Sequence, residues 1–177
     1  ETGGNLYKFY MAHCINEIIC RYKVNIKKRK QILSLNMNSA INQNTEGQPQ
    51  LLEIKEFEKL LIQKFGEFEA LRIREFFEKN EIMTFSFDEA LIGVKKLFDE
   101  DLDEIIAQCF DKLDINDEAT LSVKYIRQGL LVNARTHVNQ TFKSLNKALL
   151  KHVYDMKSTR TFGKVEFGQY IRQCIGP

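Results

Sequence analysis

Leu121-Ser122-Val123-Lys124-Tyr125-Ile126 sets apolar residues at 121, 123 and 126. Alternation over three residues suits a single rung of strand, and the switch to a spacing of three suits a helix that begins there. Three further segments share the pattern: Leu52-Glu53-Ile54-Lys55-Glu56-Phe57, Phe85-Ser86-Phe87-Asp88-Glu89-Ala90 and Val165-Glu166-Phe167-Gly168-Gln169-Tyr170. Their starts, at 52, 85, 121 and 165, lie 33, 36 and 44 residues apart. Recurrence of one unit at such a period is a repeat signature and outranks any single motif.

Outward from these segments the periodicity is helical. Phe57, Leu60, Leu61, Phe65 and Phe68 form one apolar face, and Leu71, Ile73, Phe76 and Phe77 another. Ile105, Ile106, Cys109, Phe110 and Leu113 follow in the same spacing, behind an acidic run at 99–104 that reads as a helix start. Leu130 and Leu131 read as the end of a helix, and 132–147 as a long connection. Leu6, Phe9, Tyr10, Cys14, Ile15, Ile18, Ile19 and Tyr22 predict an N-terminal amphipathic helix over 5–30. The stretch 36–50 clusters Asn, Gln, Gly and Pro and reads as a loop. Glu1-Thr2-Gly3-Gly4 looks like a cloning remnant.

The fourfold pattern resembles the EF-hand superfamily, and within it the neuronal calcium sensor and calcineurin-B-like group. The resemblance covers roughly residues 31–177. It implies an all-α fold: two pairs of helix-loop-helix units with short β rungs between loops, plus the extra N-terminal helix. The expected division is 5–30 for that helix and its basic cluster, 31–98 for the first pair and 99–177 for the second. In this family a 12-residue loop supplies oxygens from positions 1, 3, 5, 7, 9 and a bidentate Glu at 12, with Gly at 6. An aliphatic residue at position 8 pairs neighbouring hands. Placing position 8 on each apolar start gives loops 45–56, 78–89, 114–125 and 158–169.

Ca²⁺ takes six to eight oxygens. Loop one offers Thr45, Gly47, Pro49, Leu51 and Glu56, of which only the ends can ligate by side chain. Loop two has Ile82 at a ligand position and Met83 in place of Gly. Loop four sets Arg160 against the ion. Loop three alone keeps a partial set, Asp114, Asn116, Glu118 and Thr120, but has Ala119 for Gly and Tyr125 for the closing Glu. Two readings stand: a residual Ca²⁺ site weaker than about 10⁻⁵ M, or Asp114 capping its own turn. The expectation is no cofactor, or at most weak Ca²⁺ in the third loop.

Composition limits the rest. The 177 residues carry 26 Lys+Arg against 24 Asp+Glu, a net +2 that argues against a dedicated nucleic-acid binder. No apolar run approaches the ~20 residues of a membrane helix. His13, His137 and His152 are scattered, and no glycine-rich phosphate loop occurs, so no catalytic group is expected. Cys14, Cys20, Cys109 and Cys174 have no metal-ligand spacing and read as free thiols in a reducing, cytoplasmic setting. Lys27, Lys28, Arg29 and Lys30 are either a solvated helix end or a membrane- or partner-contacting patch.

The function implied is that of a non-catalytic adaptor or regulatory subunit, largely calcium-independent, binding an amphipathic helix of a larger protein. A myosin-light-chain-like subunit and a regulatory module of a larger enzyme are the alternatives. The N-terminal helix is expected to fill such a groove in cis or to pack beside the first hand.

Overall fold

The computed structural model describes residues 2–40, 51–136 and 139–176. Thr45, Gly47, Pro49 and His137 lie outside the described residues, as does the 41–50 part of the expected polar loop. The described chain is mostly helical, with two small antiparallel strand pairs, so the all-α class holds.

In chain order the elements are α1 (Thr2–Ala40), β1 (Leu51–Glu53), α2 (Ile54–Phe65), α3 (Glu67–Lys79), β2 (Thr84–Ser86) and α4 (Phe87–Leu113). Then come β3 (Thr120–Ser122), α5 (Val123–Thr136), α6 (Gln140–Val153), β4 (Thr161–Gly163) and α7 (Lys164–Ile175). Each strand feeds directly into a helix, as the alternation-then-three pattern predicts. β1 pairs with β2 through Leu52 opposite Phe85, and β3 with β4 through Leu121 opposite Phe162.

That last pairing corrects the register of the fourth repeat. The strand residue is Phe162, not Val165, which lies 74% exposed on α7. Equivalent positions are therefore 52, 85, 121 and 162, and the fourth loop shifts three residues back, from 158–169 to 155–166. Lys164 hides the register. It holds the place of Ile54, Phe87 and Val123, so the apolar alternation fails there while Val165 and Phe167 mimic it. Gly163, which falls at position 6 of 158–169, has φ −73° in extended backbone rather than a left-handed turn.

Three helix boundaries also differ from expectation. α1 extends past both ends of 5–30; it runs on through 36–40 because 31–40 holds no Gly or Pro and Asn only weakly opposes a helix. The acidic run 99–104 lies inside α4; Leu97, Phe98, Leu102 and Ile106 stay buried in register, and this apolar stripe outweighs the charge signal. α5 continues to Thr136 and α6 starts at Gln140, so the long connection expected over 132–147 is mostly helix.

The chain divides into two compact units, 1–23 with 102–177, and 24–101. In the second, Phe57, Phe77 and Phe85 pack ring to ring at 5.2–5.6 Å, and Ile32 of α1 is fully buried with them. Arg72 bridges Glu69 and Asp101 there. Burial opposes the charge of Glu69, but hydrogen bonds and charge from Arg72 hold its carboxyl below the usual range. Phe76, Phe77, Phe85 and Phe98 are buried in this core, whereas Phe68 is 82% exposed.

Candidate functional site

The first unit is built around the first half of α1. Met11, Cys14, Ile15, Ile18 and Ile19 of α1 are at most 1% exposed. They share one core with Ile106 and Phe110 of α4, Leu130 of α5, Val153 of α6 and Phe167 of α7. Their spacing of three, four, seven and eight is the face an amphipathic helix presents to a groove. The first half of α1 does not pack beside the first hand, as one expectation had it, but joins the core formed by residues 102–177.

Polar contacts fix the register of α1. The Tyr7 hydroxyl donates to the Leu113 carbonyl at 2.6 Å. Asn16 Nδ2 donates to Asn133 Oδ1 at 2.9 Å, and Asn133 Nδ2 donates to the Ala12 carbonyl at 3.2 Å. Gly129 of α5 makes room: a Cβ there would stand 2.6 Å from Met11 Cγ and 3.0 Å from the Ala12 nitrogen. These residues carry no apolar signal in the sequence; only the crossing of α1 over α5 makes them a unit.

Beside this contact lies a half-open cavity of about 410 Å³. Asp114, Asn116, Glu118 and Thr120, the four residues expected to ligate, all line it, together with Tyr7 and Tyr125. Asp114 is engaged with its own turn. One carboxylate oxygen accepts from the Glu118 amide at 3.0 Å and the other from the Ala119 amide at 2.9 Å. Asp117 and Ala119 have φ of 52° and 61°, so the loop keeps a left-handed bend at 119 where the family has Gly. At the closing position Tyr125 meets Tyr7 edge to face at 5.1 Å. Burial, then the charges of Cys14 and Asp114, pushes the Tyr7 phenol up to about 12.

The donor set is short for Ca²⁺. It holds two carboxylates, one already shared between two amides, and an aromatic ring where two closing oxygens belong. Among the described residues, no group of three or more His, Cys, Asp or Glu comes together to hold a metal.

The corrected fourth loop has carboxylates the first register missed. Asp155 and Glu166 fall at positions 1 and 12, a spacing legible once Phe162 is taken as position 8. Glu166 is spoken for, since Arg160 Nη2 pairs with its Oε2 at 2.9 Å and the Gly163 amide donates to its Oε1 at 3.4 Å. Lys157 stands at position 3 in this register, so a cationic residue still occupies one of the six ligand positions. Glu89 of loop two is likewise a helix cap, exchanging hydrogen bonds with Ser86.

In the basic cluster, Lys28 is paired with Glu69 at 3.3 Å, while Lys27 and Lys30 are exposed. Cys14 and Cys109 are buried, Cys20 is exposed, and all four thiols are free. Among the described residues no helix is long and apolar enough to cross a membrane.

The fold thus defines a helical protein in which four of the seven described helices are headed by paired short strands. No family model and no curated protein matches the chain.

Proposed function

We propose that this chain is a non-catalytic adaptor or regulatory subunit of EF-hand type, with four degenerate hands, that works by clamping an amphipathic helix. The observation that carries the reading is the buried face Met11, Cys14, Ile15, Ile18 and Ile19, at the spacing such grooves accept. Two antiparallel rungs, each joining two strand-headed helices, support the paired-hand architecture. The loops support calcium independence: Asp114 is held by its own backbone, Glu166 by Arg160, and Tyr125 occupies the closing position. The light-chain-like variant gains from α1, one 39-residue helix that gives Ile15 to one core and Ile32 to the other.

The test uses a chain carrying Ile15→Asp and Ile18→Asp, which disfavours α1 in its groove, and a labelled peptide of residues 6–22. Fluorescence anisotropy is expected to show saturable binding to the variant, unchanged by calcium or chelator, and none to the parent. A variant that keeps its helical circular dichroism yet ignores the peptide overturns the reading.

A further inference from the structure

The core that holds α1 contains two thiols, 95 residues apart in sequence, brought together by the docking of that helix. Cys14 lies on α1 and Cys109 on α4, at 1% and 0% exposure. Cys109 Sγ stands 3.5 Å from the Cys14 carbonyl oxygen, which makes the two cysteines neighbours in the core. Glu17, one turn along α1, reaches to 3.9 Å of Cys109 Sγ with one oxygen and pairs with the exposed His13 at 2.9 Å with the other. The buried pair therefore has a polar connection to solvent. Of the two, Cys14 is the better thiolate. The hydrogen bond from Cys109 and the charge of Lys112 favour its ionised form, whereas Cys109 is pushed up by Cys14, by burial and by Glu17.

We propose that Cys14 and Cys109 form a redox latch: a hydroperoxide converts them to a disulfide that locks α1 in its groove. The inference rests on the reading that this groove has an exchangeable occupant. In the docked state both sulfurs are shielded, so oxidation begins when the first half of α1 opens transiently. The Cys14 thiolate attacks the terminal peroxide oxygen. The O–O bond breaks, and the leaving hydroxide or alkoxide takes up the proton Cys14 has lost, giving a sulfenic acid on Cys14. Redocking returns it to Cys109, whose sulfur attacks Cys14 Sγ. The S–O bond breaks, the S–S bond forms, and hydroxide leaves as water with the Cys109 proton. Two thiols lose two electrons in total, and one hydroperoxide is reduced to two molecules of water, or to water and an alcohol. Cys20 is exposed, and Cys174, raised by burial, lies on α7.

The test is hydrogen peroxide treatment of the full chain with Cys20→Ser, which removes the exposed thiol. Expected is a product lighter by two hydrogens whose digest links Cys14 to Cys109. Amide exchange across 6–22 slows about tenfold or more, and dithiothreitol reverses both changes. Cys109→Ala is expected to leave a trappable Cys14 sulfenic acid and no slowing; the oxidised-against-reduced comparison of the unsubstituted pair stands without it. Linkage of Cys14 to Cys174, oxidation without any link, or a Cys14–Cys109 link that leaves exchange unchanged overturns the latch. Peptide capture by the Ile15→Asp, Ile18→Asp chain is read separately, so the latch and the clamp fail by different measurements.

Discussion

The Tyr7 hydroxyl ends 2.6 Å from the Leu113 carbonyl oxygen, on the last residue of α4 before the third loop. A residue of the N-terminal helix thus satisfies a carbonyl that the end of another helix leaves without an intrahelical partner. The same ring packs on Tyr125, so docking of α1 and the shape of the loop-three cavity are one arrangement.

Tyr7→Phe keeps the ring and removes the hydrogen bond. A loss of about 1 kcal/mol in urea unfolding is expected. The pH dependence has a definite sign. The folded phenol is raised from 10.0 to about 12, so its contribution is complete below pH 10 and fades as pH climbs through 12. Denaturation midpoints across that window are expected to fall less steeply for Tyr7→Phe than for the parent. Equal slopes would mean that Tyr7 is not the group concerned.

Ala119→Gly relieves a left-handed residue at φ 61°. A left-handed L-residue costs roughly 1–2 kcal/mol, against up to about 1 kcal/mol of extra chain entropy for Gly. The net expectation is a gain of about 0.5–1 kcal/mol. Asp117→Gly, at φ 52°, is expected to gain less, because Asp tolerates this region better than Ala. Chemical denaturation of the two variants side by side checks the order.

Gly129→Ala and Gly168→Ala form a matched pair. The first drives a methyl to 2.6 Å from Met11 Cγ and against α1 backbone, whereas the second meets only Ile106 at 4.0 Å. Overpacking of roughly 1–3 kcal/mol, less about 1 kcal/mol of helix propensity, leaves Gly129→Ala destabilised by up to about 2 kcal/mol. Gly168→Ala is expected to be neutral or stabilising. Amide exchange adds a readout: only the first substitution is expected to speed exchange in 6–22.

Tyr125→Glu combined with Ala119→Gly restores the closing carboxylate and the sharp-turn glycine to loop three. Calorimetric titration of the chelator-stripped double variant is expected to show calcium binding that Asp114→Ala abolishes. The parent is expected to show none tighter than about 10⁻⁵ M. Sub-micromolar binding by the parent would overturn the account of its loops.

Part of this protein is legible from local pattern. The change from alternation to a spacing of three at Leu52, Phe85 and Leu121 marked three of the four strand-to-helix junctions, since both periodicities are properties of a single element. The buried face of α1 was legible only in part: Cys14, Ile15, Ile18 and Ile19 are buried as their spacing predicts, but Leu6, Phe9 and Tyr10 are exposed and Met11 is buried instead. The fourth junction failed because Lys164 broke the alternation, and only the partner strand, by pairing Leu121 with Phe162, sets the register. What Asp114, Asn116, Glu118 and Thr120 have in common could be proposed from their spacing along one loop. That Tyr7 closes the same cavity could not, because the two segments lie more than 100 residues apart. The meeting of Cys14 with Cys109, and the fit of Gly129 beneath Met11, are likewise decisions of tertiary packing. They depend on where helices cross, and that is set by the whole buried surface rather than by any stretch of chain.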